Sequence, residues 1–308
     1  MKNIILGMIL AILSYTTSIS KEIELIIPQA PGSGSDILGK EIAAKYEEIT
    51  GKKVFMRYLP GGEGAVGAAH FKKAHDHTMM LAGSTMLVYH PVMKKDLSYK
   101  DEDFKFYSWI ASAYCVYVTR TDTGIKTIED FVTKLPKSKK PFVGGYGPGC
   151  DLNVDIINKS GKSSGQLETV KFKSAPDTVL ALLNGDVDVV NINIQSNLSQ
   201  LVTEGKVHVI ATTGPTEMTL ADKKVPSISA VLKIPYLMSG WGLVIKPNAD
   251  PALEKSLNLH LKPIMETSKL QDAVQKVFGV SGNVYGEKAT KAFIYDLRKK
   301  FREFNTNP

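Results

Sequence analysis

A chain of 308 residues that is 43% hydrophobic can bury a large core in one to two domains, and its ordinary aromatic content excludes a disordered chain. The formal charge of +7 is spread over scattered lysines with only four arginines, Arg57, Arg120, Arg298 and Arg302. No basic stripe is interleaved with aromatic residues, which argues against a nucleic-acid surface and leaves a solvated lysine-rich face, or assistance to the encounter of small anions.

The first twenty residues stand apart. Lys2 supplies a short positive start, Ile4 to Leu13 is a short apolar run, and Ser18-Ile-Ser20 is a small-x-small site. This reads as a secretory signal peptide, residues 1–20, cleaved near Ser20; the apolar run is too short to span a bilayer. Loss of Lys2 takes the charge from +7 to +6. No cysteine follows the signal for a lipid anchor, so a soluble protein of the periplasm is expected. Cys115 and Cys150 are the only cysteines. An exported chain could pair them, but spacing alone leaves the pairing open.

In chain order, Ile23 to Ile27 is strand-like and feeds a turn rich in Pro, Gly and Ser, and a helical pattern opens at Asp36. A second copy follows: strand Val54 to Tyr58, loop Pro60-Gly-Gly-Glu-Gly64, helix Ala65 to Ala74. A strand, a loop of small residues and a helix start together offer free backbone N–H groups to an anion. Thr78 to Ala82 is a third strand, followed by Gly83-Ser-Thr85 and a helical turn, Met86 to Met93, ended at His90-Pro91. Ser108 to Thr119 is a long β-rich run, and Thr127-Ile-Glu-Asp130 reads as a capping box. Further units follow: strand Pro141 to Gly144 with helix Leu152 to Asn158, strand Leu167 to Phe172 with a helix to Leu183, and strand Val187 to Ile194 with helix Ser196 to Thr203. Val207 to Ala211 is a strand, Thr213 to Pro235 is irregular, and Met238 to Ile245 is β-rich. The end is helical: Pro251 to Met265, Ser268 to Val277 and Glu287 to Phe301.

This pattern predicts an α/β fold with mostly parallel sheets. The units fall into two lobes, residues 21–112 with 237–308 and residues 113–236, and the two long β runs are the crossings.

Several motifs resolve to local structure. Gly62-Glu-Gly-Ala-Val-Gly67 matches G-x-G-x-x-G, but the next strand ends in Leu81-Ala-Gly-Ser-Thr85 with no acid to hold a ribose. Its glycines fit either helix–strand packing or close approach of backbone to a ligand. No Lys follows the glycines of Pro31 to Asp36, so this is no P-loop. Gly161-Lys-Ser-Ser-Gly165 lies between a helix and a strand, the reverse of a nucleophile elbow. His70, His75, Asp76 and His77 read as a polar turn, not a metal site. Asp36, Asp151 and Asp177 read as helix N-caps. No catalytic set, metal or cofactor is expected.

These stretches, in order, resemble the substrate-binding receptors of tripartite tricarboxylate transporters, the Bug (TctC-like) family. The matches are Ile26 to Asp36, Leu59 to Gly67, His90-Pro91 through Trp109-Ile110, Gly145 to Asp151, Val170-Lys-Phe-Lys-Ser174, Leu183 to Asp188, Gly205-Lys206, and Trp241-Gly242 with Lys246-Pro247. The resemblance implies a periplasmic-binding-protein-like fold whose two hinged α/β lobes close on a carboxylate held by main-chain groups and ordered water. It further implies delivery to a membrane permease of one large and one small subunit. It points to Ser33, Gly34, Ser35, Asp36, Gly61, Gly62 and Gly64, with Ser84 and Thr85 at the next strand end, and opposite them Gly147, Gly149, Cys150, Ser174 and Asn193. Two stretches depart from the family: Pro148-Gly-Cys150 stands where Gly-Ser is usual, and Val170 to Ser174 replaces Val-Pro-Tyr-Lys-Gly. The chain is expected to be a monomer. An exported enzyme using Asp36 or Cys150, or a receptor for a sensor kinase, are the alternatives.

Overall fold

The computed structural model describes residues 22–140, 142–145, 148–172, 174–194, 198–280 and 284–306; the expected signal peptide lies outside them. Three strand–loop–helix units come first. β1 (Ile23–Ile27) leads to α1 (Gly34–Thr50), and β2 (Val54–Tyr58) to α2 (Ala65–Lys73). β3 (Thr78–Gly83) leads to a π-helical turn, Thr85–Tyr89, continued by α3 (His90–Met93). The helical segment therefore ends at Met93, as expected, with His90-Pro91 inside its last part. Pro91 sits in the first turn of α3, where a missing N–H costs little.

β4 (Lys105–Ala113) is separated from β5 (Cys115–Arg120) by Tyr114 alone. After β5 come α4 (Ile128–Lys134), β6 (Phe142–Gly145), α5 (Pro148–Lys159), β7 (Glu168–Lys171), α6 (Ala175–Asn184), β8 (Val189–Asn193), α7 (Leu198–Thr203) and β9 (Val207–Thr212). The stretch expected to be irregular holds a hairpin, β10 (Met218–Leu220) with β11 (Lys223–Val225), and a short α8 (Ile228–Leu232). β12 (Ser239–Ile245) returns to the first sheet, followed by α9 (Pro251–Met265), α10 (Ser268–Phe278), β13 (Gly279–Val280), β14 (Val284–Tyr285) and α11 (Glu287–Thr306).

The first sheet has the order β13-β4-β12-β3-β1-β2, with β14 also on β4; the second has the order β7-β6-β8-β5-β9. The sheets are mixed, not mostly parallel. β3-β1-β2 and β7-β6-β8 are parallel, whereas the crossing strands β4, β12 and β5 pair antiparallel. Parallel pairing follows the helical crossovers, and a strand that arrives from the other lobe has no such crossover to set its direction.

Each sheet is covered on both faces. Leu38, Ile42 and Tyr46 recur every four residues on α1 and meet Leu25, Ile27, Met79, Leu81, Leu243 and Ile245, with α9 and α10 beside them. Burying one such side chain contributes about 1.5–3 kcal/mol. The other face carries Phe71, Met80, Phe106, Trp109 and Val244 under α2 and α11. Val116, Val118, Val190 and Ile192 face α6 and α7, while Tyr117, Val143 and Val189 face α4 and α5. Gly240 is needed at the start of β12, since a Cβ there would sit 2.1 Å from the Trp109 ring. At the crossings, the rings of Tyr114 and Tyr236 meet at 6.2 Å.

Candidate functional site

In each lobe the three adjacent parallel strands point the same way, so their carboxyl ends and following loops lie side by side. In the first lobe these are the loops after β3, β1 and β2. Ile27 pairs with Tyr58, and the Leu59 N–H donates to the Ile27 carbonyl at 2.9 Å, which carries the ladder into both loops. Ligands of open α/β sheets bind at such strand ends.

The first loop is fixed by its own side chains. Helix α1 opens at Gly34, earlier than expected, because Ser33 is the N-cap: its hydroxyl accepts the Asp36 N–H at 3.3 Å. Asp36 is thus not the N-cap. Two positions into the helix beyond Gly34, it is 1% exposed and reaches back. Its carboxylate accepts Gly32 N–H at 2.7 Å, the Tyr58 hydroxyl at 2.6 Å and Lys40 Nζ at 2.9 Å. Burial acts to raise the Asp36 pKa, but the bonds from Lys40, Tyr58 and Gly32 outweigh it and hold the carboxyl below its ordinary range. The same bond to Asp36 pushes the Tyr58 phenol up to about 12. A carboxylate so engaged organises the loop and is a poor general base. The Ser35 hydroxyl donates to Gln29 Oε1 at 2.6 Å. Ser33 and Gly34 are half-buried at the helix start, where first-turn N–H groups lack helical partners.

The second loop turns left-handed. Gly61, Gly62, Glu63 and Gly64 all have positive φ, at 127°, 54°, 55° and 101°, a path that suits glycine and strains the one glutamate. Gly61 and Gly62 are exposed, and Gly64 is buried against Met86. Gly67 serves packing, since a Cβ there would meet Pro28 at 2.7 Å. In the third loop the buried Ser84 hydroxyl accepts the Gly240 N–H at 3.3 Å, and Thr85 beside it is half-buried.

In the second lobe, Asn193 ends β8 and its Oδ1 lies 3.2 Å from Cys115 Sγ. Cys115 is disulfide-bonded. Gly149 and Cys150 belong to the first turn of α5, which opens at Pro148 and not at Leu152, so these residues are helical and not loop. Asp151 is therefore the fourth residue of α5, inside the helix and not its cap. Gly147 lies outside the described residues. Ser174 caps α6, its hydroxyl accepting the Asp177 N–H at 3.2 Å; Asp177, expected as the cap, is three residues further on. Leu152 and Ile156 of α5 share one apolar cluster with Leu59, Ala65, Tyr114 and Tyr236, which draws α5 toward the first-lobe loops.

Sequence reasoning missed Gln29, Tyr58 and His90. Tyr58 carried a signal, as a polar-tipped residue ending a strand beside the loop. His75 and His77 stack at 5.4 Å in the turn before β3, and among the described residues no group of three potential ligands is placed to hold a metal. A pocket of about 360 Å³ opens between Tyr89, residues 235–238 and α11, and none of the loop residues above lines it.

Two α/β sheets joined by two crossings, with parallel-strand loops gathered in each lobe, define a periplasmic-binding-protein-like fold. A family model described as the tripartite tricarboxylate transporter family receptor matches residues 38–304, and the chain belongs to that family. Its members are solute-binding receptors. BugT of Bordetella pertussis is 21% identical over 296 residues, covering 94% of this chain and 89% of that one. A TctC solute-binding protein from Polaromonas superposes with a TM-score of 0.72 at 20% identity, covering 93% and 98% of the two chains. MatC of Rhodopseudomonas palustris, solved with bound malate, superposes with a TM-score of 0.72 at 15% identity, covering 92% and 98%. Among the described residues no helix is long and apolar enough to cross a membrane.

Proposed function

We propose that this protein is an exported receptor that binds a small di- or tricarboxylate, or an aromatic or amino-acid carboxylate, between its lobes. It hands the ligand to a tripartite tricarboxylate-type permease of one large and one small membrane subunit. Residues 1–20 direct export and are removed near Ser20, and the receptor works as a monomer in the periplasm. Residues 21–112 with 237–308 form the lobe that grips the ligand first, and residues 113–236 form the lobe that closes on it.

The observation that carries this reading is the pair of adjoining strand-end loops, with the α1 start in one and the exposed left-handed Gly61-Gly62 in the other. Main-chain N–H groups of Gly34, Ser35, Gly61 and Gly62 and the Ser33 hydroxyl hold one carboxylate, aided by Ser84 and Thr85. The Ser33 and Gly64 N–H groups close their own turns on the Ala30 and Gly61 carbonyls at 3.2 and 3.1 Å. The α1 dipole adds about 0.3–1 kcal/mol, and charge-assisted hydrogen bonds add more. Gly147, Gly149, Cys150, Ser174 and Asn193 meet the far end of the ligand. Asp36 shapes the grip without touching the acid. The malate held by MatC is one instance of this ligand class. Calorimetric titration with mono-, di- and tricarboxylates, alongside sugars, nucleotides and metal cations, tests the reading. Saturable binding of a carboxylate is expected, and binding confined to the other classes overturns it.

A further inference from the structure

One residue of the second loop does not fit an anion grip. Glu63 is the single non-glycine among the four left-handed residues Gly61–Gly64, and it places a carboxylate beside the amides that would receive another. That carboxylate is engaged elsewhere. Its Oε2 lies 2.6 Å from His90 Nε2 and 3.3 Å from Lys94 Nζ. The His90 side chain is 4% exposed, and its Nδ1 lies 3.2 Å from the Tyr99 hydroxyl oxygen.

The protons can be followed from the bonds. Tyr99 has one hydroxyl proton and donates it to the Met86 carbonyl at 3.1 Å, an oxygen that can only accept. His90 Nε2 faces the Glu63 carboxylate, which only accepts, so the ring's Nε2–H donates to it. The charged groups around His90 are Glu63 from the second loop, Lys94 after α3, and, acting through Tyr99, Asp101 before β4 and Arg298 of α11.

We propose that His90 is a positioning residue for the ligand loop: with Lys94 it holds the Glu63 carboxylate, which keeps Gly61–Gly64 in its left-handed path and offsets the one negative charge in an anion-binding turn. The proposal rests on the carboxylate-receptor reading and adds a support for its second loop.

The test uses the mature protein, with malate as probe if the carboxylate panel binds it and otherwise the best-bound acid of the panel. His90→Gln should bind the acid about tenfold more weakly, about 1.4 kcal/mol. The double variant His90→Gln/Glu63→Gly should recover most of that loss, because glycine accepts the backbone angles and brings no charge. A histidine needed only for packing would not be rescued in this way. Wild-type affinity in His90→Gln, or a double variant as weak as the single one, overturns the proposal. If no carboxylate binds the wild type, the receptor reading fails and deuterium exchange decides this one. Faster exchange of the residue 61–64 amides in His90→Gln supports the latch, and unchanged exchange overturns it.

Discussion

Replacing Asp36 by Asn separates the loop's shape from its fold. The side chain keeps its size, but one of two acceptor oxygens becomes an NH₂ donor facing donors. Three donors converge on the carboxylate, from Gly32, Tyr58 and Lys40. Lys40 is largely exposed, so its ion pair contributes little. The Tyr58 and Gly32 bonds are part-buried. A hydrogen bond to a charged group contributes about 1.5–3 kcal/mol, and a buried donor left facing a donor costs about 1–3 kcal/mol. A loss of about 2–4 kcal/mol is expected, a fall in Tm of roughly 5–10 °C, with weaker carboxylate binding in the same protein. The folded state holds the Asp36 pKa below its unfolded value. Its contribution is therefore present above the unfolded carboxylate pKa and is lost as pH falls through the folded one. Thermal melts of both proteins from neutral to strongly acidic pH should converge in acid. Equal melting at neutral pH, or a gap that persists unchanged in acid, refutes the account.

Three further outcomes are expected. Cys115→Ser, by removing a disulfide, should lower stability by about 2–4 kcal/mol, read by denaturant titration, and added reductant should do the same to the wild type alone. Arg298→Met strips the Leu87 carbonyl of two donors and leaves Asp101 without its guanidinium; a cost of about 2–3 kcal/mol should appear as a lower urea midpoint at unchanged slope. Gly240→Ala drives a methyl into Trp109 and the Ala111 carbonyl; it should cost about 3 kcal/mol and change the tryptophan fluorescence of the folded protein.

Strands were the most legible part of the chain. Ile23–Ile27 and Val54–Tyr58 are apolar or alternating runs bounded by turn residues, and they form where the pattern puts them. Helix starts were less so, because the side chain that caps lies three residues before the acid that draws attention: Ser33 precedes Asp36, and Ser174 precedes Asp177. The β10–β11 hairpin was hidden because its turn, Ala221-Asp222, takes φ of 48° and 58° without a glycine to announce it. Strand direction at the crossings was unreadable, since it depends on the lobe from which the chain arrives. In the site, the loops were visible as composition, but their partners were not. Tyr58 is 22 residues from Asp36, and His90 is 27 from Glu63, so only the folded sheet brings them together.

The helical segment that begins at Ser84 is stapled to the returning chain at two points. Ser84 Oγ takes the Gly240 N–H, while the Tyr89 hydroxyl donates to the Met238 carbonyl and accepts the Met238 N–H. The third strand-end turn and the return crossing therefore move as one piece, like a handle cast together with its axle. A pull on residues 238–240 is passed directly to the turn at Ser84 and to the helical segment that follows it.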